Sequence, residues 1–284
     1  MRQVRARVLC ENTVPGGAGL AEHGWAVWLD TLHGHYLFDT GQGKSLLHNA
    51  LYFGVDLSAL KAILLSHHHY DHTGGLLNVL AVLRARHRGK GVQVFGHPDL
   101  FKDSYSIPKG KRARHIGMPF TRAALEGAGA DLHLDTDWTI VSDGLYLTGE
   151  VPRLTEFERG DANLKHFDAQ GEMVSDPVID DQGLVIETSR GLFVVLGCSH
   201  AGAINTLRYA SETTGCHRFH TVMGGFHLGG ASEAHVANTI RALEGFEIEH
   251  IGAGHCTGQR AIRKLAQAFG DRFFLCNVGT TVEV

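Results

Sequence analysis

Proline is scarce in this chain of 284 residues, with 6 against 36 glycines. That argues against Pro-rich linkers and predicts tight turns and bulges. No apolar stretch approaches the roughly 20 residues that cross a bilayer. The N-terminal "MRQVRARVLCENT" lacks the apolar segment of a signal peptide. An excess of positive charge is missing too: the formal net charge is −4, so no nucleic-acid partner is expected. Cysteine is confined to Cys10, Cys198, Cys216, Cys256 and Cys276. An odd number without framework spacing predicts reduced thiols in a cytoplasmic protein.

Short apolar, β-branched runs recur, among them "WAVWLDT" at 25–31, "AILLSHH" at 62–68, "GLFVVLGCSH" at 191–200 and "HTVMGGFHL" at 220–228. They are continuous rather than alternating, as strands buried on both faces are. Between them, "GGLLNVLAVLRAR" (74–86), "SEAHVANTIRALEGF" (232–246) and "GQRAIRKLAQAFG" (258–270) space apolar residues three and four apart, with Ser232 as an N-cap. This alternation in both halves predicts a single layered α/β domain over 1–284. The stretch from about 100 to 180 is irregular. It is expected to be an insertion or lid over one face, with "WTIVSDGLYLTGE" as a hairpin.

Histidine is abundant, 20 residues, and four of them flank Asp71 in "SHHHYDHTGG" at 66–75. The run is internal and interrupted by Tyr70 and Asp71, unlike an affinity tag. His67 and His69 lie two apart, so an extended turn lets both reach one ion while Asp71 and His72 turn toward a neighbour. His200, His227 and His255 each follow an apolar strand run. Strand ends in layered α/β folds converge along one edge, where ligands bind. Such a nitrogen-and-oxygen set suits divalent zinc, manganese or iron.

"SHHHYDHTGG" resembles the H-x-H-x-D-H-x-G-G signature of the metallo-β-lactamase superfamily, and Asp39 in "LFDTG", His200 and His255 fall in that family's motif order. "AEHGWAVWL", "GEVPRLTEFE", "GCSHAGAINT" and "GHCTG" further resemble the branch similar to 7,8-dihydropterin-6-methyl-4-(β-D-ribofuranosyl)-aminobenzene-5′-phosphate synthase. The resemblance implies a four-layer αββα sandwich holding two divalent transition-metal ions. His67, His69 and His200 would bind the first ion and Asp71, His72 and His255 the second, with Asp39 orienting an imidazole from behind. It also implies an enzyme acting on a small anionic molecule that carries phosphate or diphosphate and is pterin-like. Either hydrolysis by metal-activated hydroxide or group transfer with a metal-stabilised diphosphate would use such a centre. A generic ester or lactone hydrolase and a non-catalytic metal-binding or sensor protein are the alternatives.

One position departs from the family. Where the fourth motif usually carries an aspartate that bridges both ions, "GGFHL" supplies His227. A neutral imidazole has one free lone pair and bridges poorly, so His227 either ligates one ion or faces substrate. Asp71 and His227 are the candidate catalytic residues. His23 is either a pocket group or a core histidine, and Cys256 is expected to point away from His255. A helix start near Gly202, with Lys109, Arg112, Arg153 and Lys165, is expected to form a phosphate subsite.

Overall fold

A computed structural model describes residues 3–17, 19–87 and 91–284. The first half runs β1 (Val4–Cys10), β2 (Ala26–Thr31), β3 (Gly34–Phe38), α1 (Leu46–Tyr52), β4 (Leu60–Leu64), α2 (Tyr70–Thr73), α3 (Leu76–His87) and β5 (Val92–Gly96). The middle carries β6 (Ser104–Ser106), β7 (Arg114–His115), α4 (Arg122–Gly127), β8 (Ala130–Leu134), β9 (Thr139–Ser142), β10 (Leu145–Leu147), β11 (Leu164–Phe167) and β12 (Met173–Ser175). Then follow β13 (Leu184–Thr188), β14 (Gly191–Leu196), α5 (Ala203–Thr214), β15 (Arg218–Gly224), α6 (Glu233–Glu244), β16 (Glu247–Ala253), α7 (Gln259–Phe269), β17 (Phe273–Leu275) and β18 (Thr281–Glu283).

Two seven-stranded sheets result, in the orders β18-β1-β2-β3-β4-β5-β8 and β17-β16-β15-β14-β13-β10-β9. The side-chain period of two explains why their strands read as unbroken apolar runs. On β14, Phe193 and Val195 enter the core between the sheets, while Leu192, Val194 and Leu196 pack beneath α5, α6 and α7. On β4, Ala62 and Leu64 face between the sheets, and Ile63 faces the cluster built on α1, α3 and α4. Helices, sheet, sheet and helices make the expected αββα sandwich. Truncating a residue such as Phe193 to alanine would cost about 3–5 kcal/mol. Ser232 caps α6, its side chain accepting from His235 N–H.

The stretch from 100 to 180 divides in two. β8 joins the first sheet and the β9–β10 hairpin joins the second, so this part belongs to the sandwich rather than to an insertion. Residue alternation along these short edge strands is too brief to signal membership in a sheet. β6, β7, β11 and β12 form a separate four-stranded sheet. It is joined to the body where Tyr70 N–H donates to Ile116 O. No helix among the described residues is long and apolar enough to cross a membrane.

Parallel pairing runs from β3 through β4 and β5 to β8 in one sheet and from β14 through β15 and β16 to β17 in the other. The loops leaving β3, β4, β14, β15 and β16 carry Asp39, the 66–72 run, Cys198 with His200, His227 and His255. Among the described residues, five non-glycine positions have positive φ: Asp39 (59°), Val178 (50°), Ser199 (61°), His227 (46°) and His255 (52°). Four lie on the loops just named. Such backbone costs on the order of 1–3 kcal/mol per residue and persists where surrounding contacts fix it.

Candidate metal centre

Ser66 leaves β4 with its N–H and Oγ both bonded to Asp39, at 2.7 Å each, which fixes the turn into the histidine run at the strand end. There Nε2 of His67 approaches Nδ1 of His69 at 3.0 Å, and both rings stack edge-on against His200, with centroids 4.9 Å apart in each case. Donor atoms of His67, His69 and His200 all lie within 4.8 Å of one another. Burial drives all three toward the neutral ring: His67 and His200 fall well below the usual histidine range, and His69 falls to about 3. His200 has two buried ring nitrogens without a hydrogen-bond partner, and His69 has one, its Nε2.

Beside this set, Nδ1 of His72 meets Asp39 Oδ2 at 2.7 Å, and Nδ1 of His255 meets Asn12 Oδ1 at 3.1 Å. With those protons donated outward, the two Nε2 atoms face each other at 3.2 Å. Asp71 Oδ2 completes the group, 3.4 Å from His255 Nε2 and 3.9 Å from His72 Nε2. Burial opposes charge on His72, but Asp39 and Asp71 outweigh it and raise its pKa to about 9. Burial likewise opposes charge on Asp71, yet His72, His23 and His255 hold its carboxyl well below the usual range.

These residues fit divalent ions. Orphaned, neutral imidazole nitrogens in a buried cluster lose hydrogen bonds to water and gain none from protein, a cost a coordinated cation removes. The second set pairs two imidazoles with one carboxylate, and Asp39, Asn12 and Glu11 brace it from behind. Glu11 accepts from His255 N–H at 2.6 Å.

The structure brings together His67, His69, Asp71, His72, His200 and His255, with Asp39 behind His72 as the sequence suggested. His227 lies alongside, its ring centroid 4.1 Å from that of His200 and its Nε2 3.7 Å from Asp161 Oδ2. Burial disfavours the His227 imidazolium, but Asp161 and Cys256 outweigh it and raise the pKa to about 10. His200 and His227 line a cleft of about 170 Å³ that also borders Asp161, Asn163 and Phe226. His68, in a variable position of the motif, points elsewhere and bonds Asp180 at 2.8 Å.

The expected phosphate subsite is not assembled. Glu158 closes the N-terminus of α5, its Oε1 accepting from Ile204 N–H at 2.9 Å and its Oε2 from Asn205 N–H at 3.1 Å. A Cβ on Gly202 would meet Glu158 Oε2 at 2.3 Å, so glycine here admits the protein's own carboxylate, not an external anion. Arg153 donates to the carbonyls of His200, Pro177 and Val178, which makes it a loop brace. Lys165 reaches Ser175 Oγ on the four-stranded sheet. Lys109 and Arg112 lie exposed in the turn between β6 and β7. From the same basic run it is Arg114 that approaches the centre, over the ring of Tyr70 at 5.6 Å.

Sequence reasoning gave no role to Glu11, Asn12, Glu158 or Cys198 and left His23 undecided. His23 stacks on His255 with centroids 5.1 Å apart and sets Nε2 3.0 Å from Asp71 Oδ2. Glu11 and Asn12 carried the same signal as Asp39, polar residues directly after an apolar strand.

An αββα sandwich with this histidine–aspartate centre at its strand ends defines a class, and the chain belongs to the metallo-β-lactamase superfamily. Residues 21–155 match the family model of that description. The chain is 30% identical over 251 residues, 87% of its length and 83% of the other, to the 7,8-dihydropterin-6-methyl-4-(beta-D-ribofuranosyl)-aminobenzene-5'-phosphate synthase of Methanocaldococcus jannaschii. It is similar to the crystal structure of Tm1679, a metal-dependent hydrolase of the β-lactamase superfamily, with a TM-score of 0.82 at 29% identity over 99% of both chains. A diphosphatase from the PhnP family shares the fold, with a TM-score of 0.55 at 14% identity over 100% of this chain and 98% of the other.

Proposed function

We propose that this chain is a cytoplasmic metal-dependent enzyme acting on a small anionic molecule that carries phosphate or diphosphate and a pterin-like group, with no nucleic-acid partner. The observation that carries this reading is the meeting of two ligand sets at one buried centre, His67, His69 and His200 beside Asp71, His72 and His255. Two divalent ions bound there would act as Lewis acids toward phosphoryl oxygens. The chain supplies orientation and proton handling. Asp39 and Asn12 fix the ring nitrogens that His72 and His255 present. Asp71, braced by His23, would orient an attacking oxygen. His227, beside Asp161, would donate a hydrogen bond from the cleft wall to a substrate oxygen. Similarity to the pterin-related synthase supports the pterin-like part.

A second reading, an ester or lactone hydrolase, is favoured by one observation: Glu158 occupies the helix terminus that an anion would otherwise use. Metal analysis followed by assays on phosphodiesters, lactones and phosphorylated pterins separates the two. Turnover of phosphorylated pterins supports the first reading, and turnover of lactones alone supports the second. Bound ions without turnover of any of them would leave a metal-binding or sensor protein.

A further inference from the structure

One buried side chain neighbours both ligand sets. Cys198 follows β14 and is 3% exposed. Its Sγ lies 3.1 Å from Nε2 of His72. The same sulfur belongs to three groups whose donor atoms lie within 4.8 Å of one another: with His67 and His72, with His200 and His227, and with His255 and Cys256. It therefore neighbours two imidazoles of the first set, His67 and His200, and two of the second, His72 and His255. Zinc bonds of about 2.3 Å to sulfur and about 2.0–2.1 Å to nitrogen separate two donors of one ion by at most about 4.4 Å, which is the scale of these groups. His200, a member of one group, has both ring nitrogens buried and unpartnered.

We propose that Cys198 is a metal ligand whose thiolate is shared by the two ions, in the role an aspartate from the neighbouring loop would otherwise fill. The inference rests on the reading of the histidine cluster as a two-ion centre. A thiolate sulfur has several lone pairs and can bond two cations, which an imidazole, with at most one free lone pair, cannot. On binding, the S–H bond breaks, the proton leaves to solvent, and the sulfur's electron pairs form the metal bonds. The backbone is built to hold the sulfur there. Gly225 N–H donates to Gly197 O at 3.1 Å and Ser199 Oγ donates to Gly225 O at 2.7 Å, zipping the two loops together. A Cβ on Gly225 would lie 2.6 Å from Cys256 Sγ and 3.3 Å from Cys198 Cα, so glycine lets the thiol-bearing loop close in. Cys256 is placed differently: its sulfur faces Cys198 O at 3.5 Å. With Asp71, a Cys198 thiolate leaves two dications with a net charge of +2, suited to an anionic substrate.

Cobalt(II) titration of the full chain tests this without any assay of turnover. Wild type should take up two ions with a sulfur-to-cobalt charge-transfer absorption in the near ultraviolet, and Cys198 should become resistant to alkylation as mapped by mass spectrometry. Cys198→Ser should lose the band and bind its second ion on the order of 10–100-fold more weakly. Cys256→Ser should keep the band. Cys198→Asp should regain two tight ions without the band, which guards against loss of fold in the serine variant. Two ions in wild type without the band, or a band that survives Cys198→Ser, would overturn the thiolate assignment while leaving the two-ion centre standing. No cobalt uptake by wild type would overturn the centre itself, and this assignment with it.

Discussion

Asp39 Oδ2 lies 2.7 Å from Nδ1 of His72, and this contact decides which ring nitrogen faces the centre. The same carboxylate accepts from Ser66 N–H and Oγ, so it also fixes the turn that delivers His67 and His69. One side chain on the loop just after β3 thus controls tautomer and backbone together. Asp39→Ala should weaken binding of the second ion on the order of 10–100-fold, measured by competition with a chromophoric chelator. Asp39→Asn keeps the shape and should lose less. Equal affinity in wild type and Asp39→Ala would mean that His72 is held by its other neighbours.

Metal loading should raise thermal stability. A ligand at 100 times its dissociation constant stabilises the native state by about 2.7 kcal/mol, roughly 5–10 °C for a chain of this size. Calorimetry before and after chelator treatment would show that shift, reversed on adding zinc or manganese. An unchanged melting temperature would count against a resident metal.

Glu158→Ala removes the carboxylate that caps α5 and should cost about 0.5–2 kcal/mol in urea unfolding. It should also create what the native chain lacks, a helix terminus open to anions. Phosphate is expected to stabilise this variant and leave wild type unaffected. If phosphate protects both alike, the anion binds elsewhere.

Asp176 accepts from Lys102 at 2.9 Å and from Ser104 at 2.6 Å. Burial disfavours its charge, but Ser104 and Lys102 outweigh this and lower the pKa from 3.8 to about 2. Because the folded value is the lower one, its stabilisation is present above about pH 4 and disappears as pH falls through 2. Asp176→Asn should therefore lose about 1.5–3 kcal/mol at pH 7, the range for hydrogen bonds to charged groups, and converge with wild type near pH 2.

His227→Ala should lower turnover about 100-fold or more, the usual scale for a positioned proton donor, with thermal stability nearly unchanged. The half-buried ring touches little core. A large stability loss with activity retained would make the residue structural.

The sequence carried the sandwich in its period-two logic: a run such as "LFVVL" is continuous because neighbouring residues feed opposite cores. The histidine motif was legible because its ligands are consecutive and chemically unusual. Cys198 was overshadowed by His200, since a buried small apolar residue and a ligand read alike in a strand-end context. Glu158 was hidden for another reason. It sits in the charged stretch "TEFERG", where nothing in the local pattern distinguishes a solvated acid from one folded back 46 residues onto a helix terminus. The basic turn at 108–115 misled in the opposite sense, because charge type predicts attraction to phosphate but not where the loop lies.

The centre also has a mechanical side. His67, His69, Asp71 and His72 hang from the first sheet, whereas Cys198, His200 and His255 hang from the second. Either ion, held by the residues proposed for it, would be gripped from both halves and would act as a rivet across the seam. Stripping it should therefore loosen not only the loops but the closure of one sheet on the other. Amide exchange would then accelerate along strands β4 and β14 themselves, and not only in the loops that carry the metal donors.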